Sequence, residues 1–299
     1  MTRKRTLTYL LFGIIALGAA GVLASRSFSA GETTVSALAG ETHFHGLAVD
    51  PRDPDRLYLA THHGLFLVGP AGTAQPISET RDDFMGFTPH PADPNVLYAS
   101  GHPPGGGNLG FIVSRDGGKS WSKLADGVGG PVDFHQMDVS KHDPKVIYGV
   151  YGGLQRSADG GRSWTMIGPA PEGLIDLAAG RLRDRLYAAT RQGLLRSSDG
   201  GRRWEPAHMS RRPVTMVYAT NDGRIYAYVV GIGLIHAEEP GLDWKVRGGG
   251  IGGSYVLHLA VAPTDKRRLY AVAFNPTDRS QSLLVSTDGG ESWSALGGE

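Results

Sequence analysis

The sequence predicts an all-β fold, a β-propeller of four-stranded blades, and three observations predict it. The first is a short segment, Ser-x-Asp-x-Gly-x-x-Trp, repeated at 114–121, 157–164, 197–204 and 286–293, with a worn fifth copy ending in Gly241-Leu242-Asp243-Trp244. These copies use all five Trp residues of the chain. The second is a Leu/Ile-Tyr pair that recurs at Tyr58, Tyr98, Tyr148, Tyr187, Tyr226 and Tyr270, at intervals of 40, 50, 39, 39 and 44 residues. The third is composition. The 299 residues include 44 Gly and 18 Pro, the turn content that many short strands demand.

Each repeat has a physical reading. Asp binds backbone N–H groups within a tight turn. Gly supplies the positive φ. Trp opens the next strand and covers apolar surface between neighbouring sheets. These Asp residues therefore read as structural. In the third unit the strands are expected at 134–139, 146–151 and 154–157, with a turn at 140–145 and the last strand beginning at Trp164. Repeated units of about 40 residues with four strands each mean a propeller. The six Tyr elements count six blades, and a seventh stays open because the first unit has a poor turn copy near 68–72. Ring closure is also open. The segment Val35-Ser36-Ala37-Leu38 resembles the last strand, Trp293-Ser294-Ala295-Leu296, so either is expected to finish the last sheet, or the former to add a strand.

The domain reading is a leader at 1–30 followed by the propeller at 31–299. Arg3, Lys4 and Arg5 precede an uncharged stretch at 7–24, with small residues Val22 and Ala24 at its end. This is a signal peptide or an uncleaved signal-anchor helix. Either places the body in the periplasm or on the outer face of the cytoplasmic membrane, with membrane contact through the leader if it is retained. The chain has no Cys, which excludes disulfides, thiolate sites and lipid attachment at Cys. A formal net charge of +1 and scattered basic residues argue against a nucleic-acid partner. A monomer is expected.

The repeat resembles the Asp-box, or bacterial neuraminidase repeat. The region from about residue 40 onward is similar to the propeller superfamily that includes sialidases, xyloglucanase-type glycoside hydrolases, sortilin-type receptors and the photosystem II stability factor. Leu47-Ala48-Val49-Asp50-Pro51 with Leu57-Tyr58 is most like the last three groups. The resemblance implies fold rather than chemistry. The Phe-Arg-Ile-Pro segment of sialidases is missing, so that activity is not implied. Xyloglucanase-type enzymes carry a carboxylate at the place held here by His45, Met85 and His135. A glycosidase alternative would have to use Asp83 and Asp133 as its carboxyl pair. An assembly platform for a membrane complex is the third reading.

A sharper pattern lies in the first strand of each unit. Its five-residue windows are 43–47 (His-Phe-His-Gly-Leu), 83–87 (Asp-Phe-Met-Gly-Phe) and 133–137 (Asp-Phe-His-Gln-Met), then 173–177, 213–217 and 255–259. The first three share a pattern that the others lack. Propeller geometry puts the start of this strand and the loop between the second and third strands on one face, at the channel mouth. His43, His45, His62, His63, His102 and His135 map there from the first three units, and His258 from the sixth. Met85 and Met137 join His45, His62, His63 and His135 as candidate metal ligands; copper is favoured because His with Met is a soft set, whereas His with Asp suits zinc, iron or manganese. His43, Asp83, His102, Asp133 and His258 are candidate contacts for a small ligand or a membrane-associated protein. The Gly-rich loop 103–107 is either a lid or a solvated hairpin.

Overall fold

The computed structural model describes residues 33–248 and 250–298. It is a six-bladed propeller in which every blade is an antiparallel meander, innermost strand first. The inner strands are Phe44–Asp50, Asp83–Pro89, Gln136–Val139, Leu174–Ala179, Val214–Ala219 and Tyr255–Val261. Blade count is therefore six rather than seven. The leader at 1–30 lies outside the described residues. Among those described, no helix is long and apolar enough to cross a membrane.

Side-chain alternation along a strand explains the Leu/Ile-Tyr pair. In each second strand the aliphatic residue faces the preceding blade and the Tyr the following one. Leu97 packs with Tyr58 between blades one and two. Ile147 packs with Tyr98 between two and three. Leu186 packs with Tyr148 between three and four. The same pairing continues through Ile225 with Tyr187, Leu269 with Tyr226, and Leu57 with Tyr270, which closes the ring. Six apolar clusters thus fill six interfaces.

The Asp-boxes are built as their residues imply. Ser157 Oγ donates to Asp159 Oδ1 at 2.8 Å and accepts from Gly161 N at 2.8 Å. Asp159 Oδ1 accepts from Ser163 N at 2.9 Å, and Trp164 Nε1 donates to Gly161 O at 3.1 Å. The hydroxyl and backbone N–H of Ser163 hold the Asp159 carboxyl down at about 2. Each Trp packs into the interface with the preceding blade. In the worn copy, Trp244 Nε1 instead donates across the interface to Ala207 O at 2.7 Å.

The seam differs from expectation. Thr33–Thr34 pairs with Ala74 and Thr73, adding a fifth strand outside blade one. Val35–Ala39 is not a strand but a short helix, capped by Thr34 Oγ1 accepting from Ala37 N. The last sheet is finished by Ser294–Ala295 alone. Blade one has no box Trp to fill the interface with blade six. Val35 and Leu38 of the helix fill it instead, both buried. A helix presents two apolar residues three apart on one side, which a strand cannot.

The inner strand of blade three is shorter than expected, starting at Gln136. Phe134 N donates to Ser100 Oγ of blade two at 3.0 Å, so this segment leans on its neighbour before joining its own sheet. Gly86 permits the approach. Its φ is +55°, and a Cβ there would lie 2.2 Å from the Phe134 carbonyl oxygen.

Candidate metal and ligand site at the channel mouth

The inner strands begin with bulges in five blades, and the bulge aims the mouth residues. In blade one Phe44 pairs with Thr61 and Gly46 with Ala60, which leaves His45 as the extra residue. Ile175, Thr215 and Leu257 are the extra residues at the same place in blades four, five and six. One position later, Gly46, Gly86, Gln136, Asp176, Met216 and His258 line a central channel of about 380 Å³. His45 and His135 lie at its mouth end.

The predicted residues are gathered into two sets. In the first, His62 Nδ1 lies 2.6 Å from Asp83 Oδ2, and His45 Nε2 lies 3.8 Å from Asp83 Oδ1. In the second, His135 Nε2 and His102 Nε2 lie 2.6 Å and 2.9 Å from the same oxygen, Asp133 Oδ2. Within each set, one donor atom per residue falls inside a 4.8 Å span, a spacing open to a metal ion. Both sets join neighbouring blades. His62, in the loop of blade one, reaches the first residue of blade two's inner strand, and His102, the last residue of blade two's second strand, reaches Asp133 just before the inner strand of blade three. Gly101 fixes the second corner, because a Cβ there would sit 1.8 Å from the Asp83 carbonyl oxygen.

Several polar atoms of these sets are buried without a hydrogen-bond partner: His45 Nε2, Asp83 Oδ1 and Asp133 Oδ1. Burial without a partner costs about 1–3 kcal/mol per group, so a folded protein rarely keeps several together. Burial, then the neighbouring His62, His258, His43 and His135, holds the His45 imidazole well below its ordinary range. It is therefore neutral, the form that ligates. His135 is shifted upward, first by its hydrogen bond to Asp133 and also by the charges of Asp133 and Asp83.

The remaining candidates flank the sets. The His43 ring is 5.5 Å from that of His62 and exposed to solvent. His63 sits beside it in the same turn, lowered by burial and by His62. His258 is depressed to about 4 by burial and lines the channel near His45. Met137 lies in the apolar cluster between blades two and three, and Met85 is 8% exposed in blade two. The donor set gathered at the mouth is thus imidazole and carboxylate. The sequence pattern did not single out Asp176, whose Oδ2 accepts from Val217 N of the next blade at 2.9 Å. Asp138 does likewise, accepting from Ala179 N at 2.8 Å while paired with Lys141 at 2.6 Å. Both stitch adjacent inner strands. Asp at the strand position after the bulge is the signal that marks Asp176 as a channel residue.

Comparison with known proteins supports the fold. The BNR/Asp-box repeat family matches residues 112–123 and 284–295. The chain is a six-bladed β-propeller that carries BNR/Asp-box repeats. Among curated proteins none matches the sequence. A solved GH74 xyloglucanase from Xanthomonas campestris is similar with a TM-score of 0.57 and 19% identity, over 89% of this chain and 46% of that one. YCF48 from Cyanidioschyzon merolae is similar with a TM-score of 0.50 and 18% identity, over 89% of this chain and 88% of that one. PorZ, a surface component of the type-IX secretion system of Porphyromonas gingivalis, is similar with a TM-score of 0.53 and 12% identity, over 87% and 33%. The chain spans about half the length of the xyloglucanase and a third of PorZ.

Proposed function

We propose that this protein is an exported binding propeller whose channel mouth holds a divalent transition-metal ion through His45, His62 and Asp83. The single observation that carries the reading is the pair His45 Nε2 and Asp83 Oδ1, both buried, both without a hydrogen-bond partner, and 3.8 Å apart. Metal bonds of about 2.0–2.2 Å to each atom span that separation at an open angle. His62, anchored on the other carboxylate oxygen, is the third donor. The N/O set suits zinc, iron, manganese or copper(II) better than copper(I), which seeks sulfur. The charged leader and apolar stretch support placement outside the cytoplasm, either anchored or released.

Equilibrium dialysis of untagged full-length protein against Zn²⁺, Cu²⁺ and, under reducing conditions, Cu⁺ tests the reading. Binding of Zn²⁺ or Cu²⁺ that is lost in His45→Ala and Asp83→Asn supports it. Protein that takes up no stoichiometric metal in any condition ends it. Turnover of a polysaccharide panel that disappears in Asp83→Asn and Asp133→Asn would favour the glycosidase reading instead.

A further inference from the structure

The geometry points to a second ion site, formed by His102, Asp133 and His135, so that the mouth carries two divalent transition-metal ions. This rests on the reading of His45, His62 and Asp83 as the first site.

The first argument is the repeat. A histidine at or just past the end of the second strand of one blade meets an Asp at or just before the start of the next blade's inner strand. It happens at His62 with Asp83 and again at His102 with Asp133. A histidine two residues into an inner-strand window completes each set, His45 from the blade before and His135 from the blade after. The pattern then stops. Blade three turns through Tyr151-Gly152-Gly153, and blade four opens on Gly173. A pattern built twice at adjacent junctions and absent from the rest is a property of the mouth, since the other four junctions close without it.

The second argument is hydrogen-bond accounting. His102 Nδ1 lies 2.8 Å from the Gly107 carbonyl oxygen, which can only accept, so Nδ1 carries a hydrogen. Nε2 then faces the carboxylate oxygen Asp133 Oδ2 at 2.9 Å. That contact is closed either by a second ring hydrogen, as an imidazolium–carboxylate pair, or by a cation beside both atoms. An ion with bonds of about 2.0–2.2 Å to both atoms subtends close to a right angle there. The other carboxylate oxygen, Asp133 Oδ1, is buried without a hydrogen-bond partner, on a side chain that is 8% exposed.

The outer histidines of the second set are more open, with His102 and His135 side chains 39% and 40% exposed against 19% for His45.

The test is titration of untagged full-length protein with Zn²⁺ by calorimetry, with Co²⁺ absorption as a second probe. The expected result is two equivalents per chain. Asp133→Asn and His102→Gln should each reduce this to one, Asp83→Asn should also leave one, and Asp83→Asn with Asp133→Asn none. One equivalent in the wild type, lost in Asp83→Asn but untouched by His102→Gln and Asp133→Asn, overturns the second site and leaves the first standing. One equivalent lost in either Asp variant alone means a single shared site and also overturns it. No equivalent at all overturns both readings. Should Asp133→Asn not fold by circular dichroism, the exposed His102→Gln carries the same test.

Discussion

Blades one to three and blades four to six are the same scaffold with different mouths. All six interfaces pack an aliphatic residue against a Tyr, and five add a Trp from an Asp-box. At the bulge the first half-ring presents His45, while the second presents Ile175, Thr215 and Leu257. Where the five-residue windows of blades two and three open on Asp83 and Asp133, those of blades four and five open on Gly173 and Pro213. Thr215 spends its hydroxyl on the Val256 carbonyl at 2.7 Å, and Asp176 spends its carboxylate on Val217 N. These groups hold blades together, as Asp138 of blade three also does through Ala179 N. The mouth of the first half-ring in addition leaves His45 Nε2, Asp83 Oδ1 and Asp133 Oδ1 without a hydrogen-bond partner. Closure therefore does not require the mouth chemistry, which is why that chemistry is read as function.

The largest expected effect attacks what the halves share. Leu38 is fully buried at the seam where no box Trp stands. Leu38→Ala should cost about 2–5 kcal/mol, read by denaturant unfolding. Its metal uptake per folded molecule should be unchanged; loss of uptake in the folded fraction would mean that mouth and seam are coupled. Next, Asp83→Asn and His45→Ala should weaken metal binding by at least about tenfold while moving stability by less than about 1 kcal/mol. Thr215→Val in the other half should do the reverse, losing about 1 kcal/mol and no affinity. If Thr215→Val also lost affinity, the division of the ring would fail.

Asp176 sharpens the contrast through pH. Burial raises its carboxyl from 3.8 to about 7. A raised carboxyl disfavours the charged form in the folded state. Its cost is therefore absent below about pH 4, accumulates up to pH 7 and is then constant. Asp176→Asn should melt higher than wild type at pH 8, with the gain shrinking toward pH 4. A gain that does not vary with pH would rule out burial as the cause. The smallest effect is expected at the exposed boxes. Asp159 is held at about 2, so its contribution is present above pH 4 and lost as pH falls toward 2. Asp159→Asn should lower the melting temperature slightly at pH 7, with no difference left below pH 2.

Much of the frame was legible because it is local and periodic. A turn that binds its own backbone through Ser, Asp and Gly needs no distant partner, so repeating it marks every blade. The alternation in Leu-Tyr pairs reads as two faces of one strand. The helix at Val35–Ala39 was not legible. Its four apolar and small residues resemble a strand, and only the missing Trp at the seam decides otherwise. The mouth was partly legible. The windows put His45, Asp83, Asp133 and His135 on one face, but could not say that Met137 turns into the apolar interface. Nor could they show that His62 reaches Asp83 across a blade boundary.

Sequence alone determined the blades, their number to within one, and the half of the ring that carries histidine and aspartate, because each of these follows from spacing along the chain. Which atoms meet at the mouth was decided only when the bulges and Gly101 shaped each blade's inner edge and Gly86 let blade three approach blade two. Contacts between blades depend on a backbone path that a repeat of about 40 residues does not encode in any one copy.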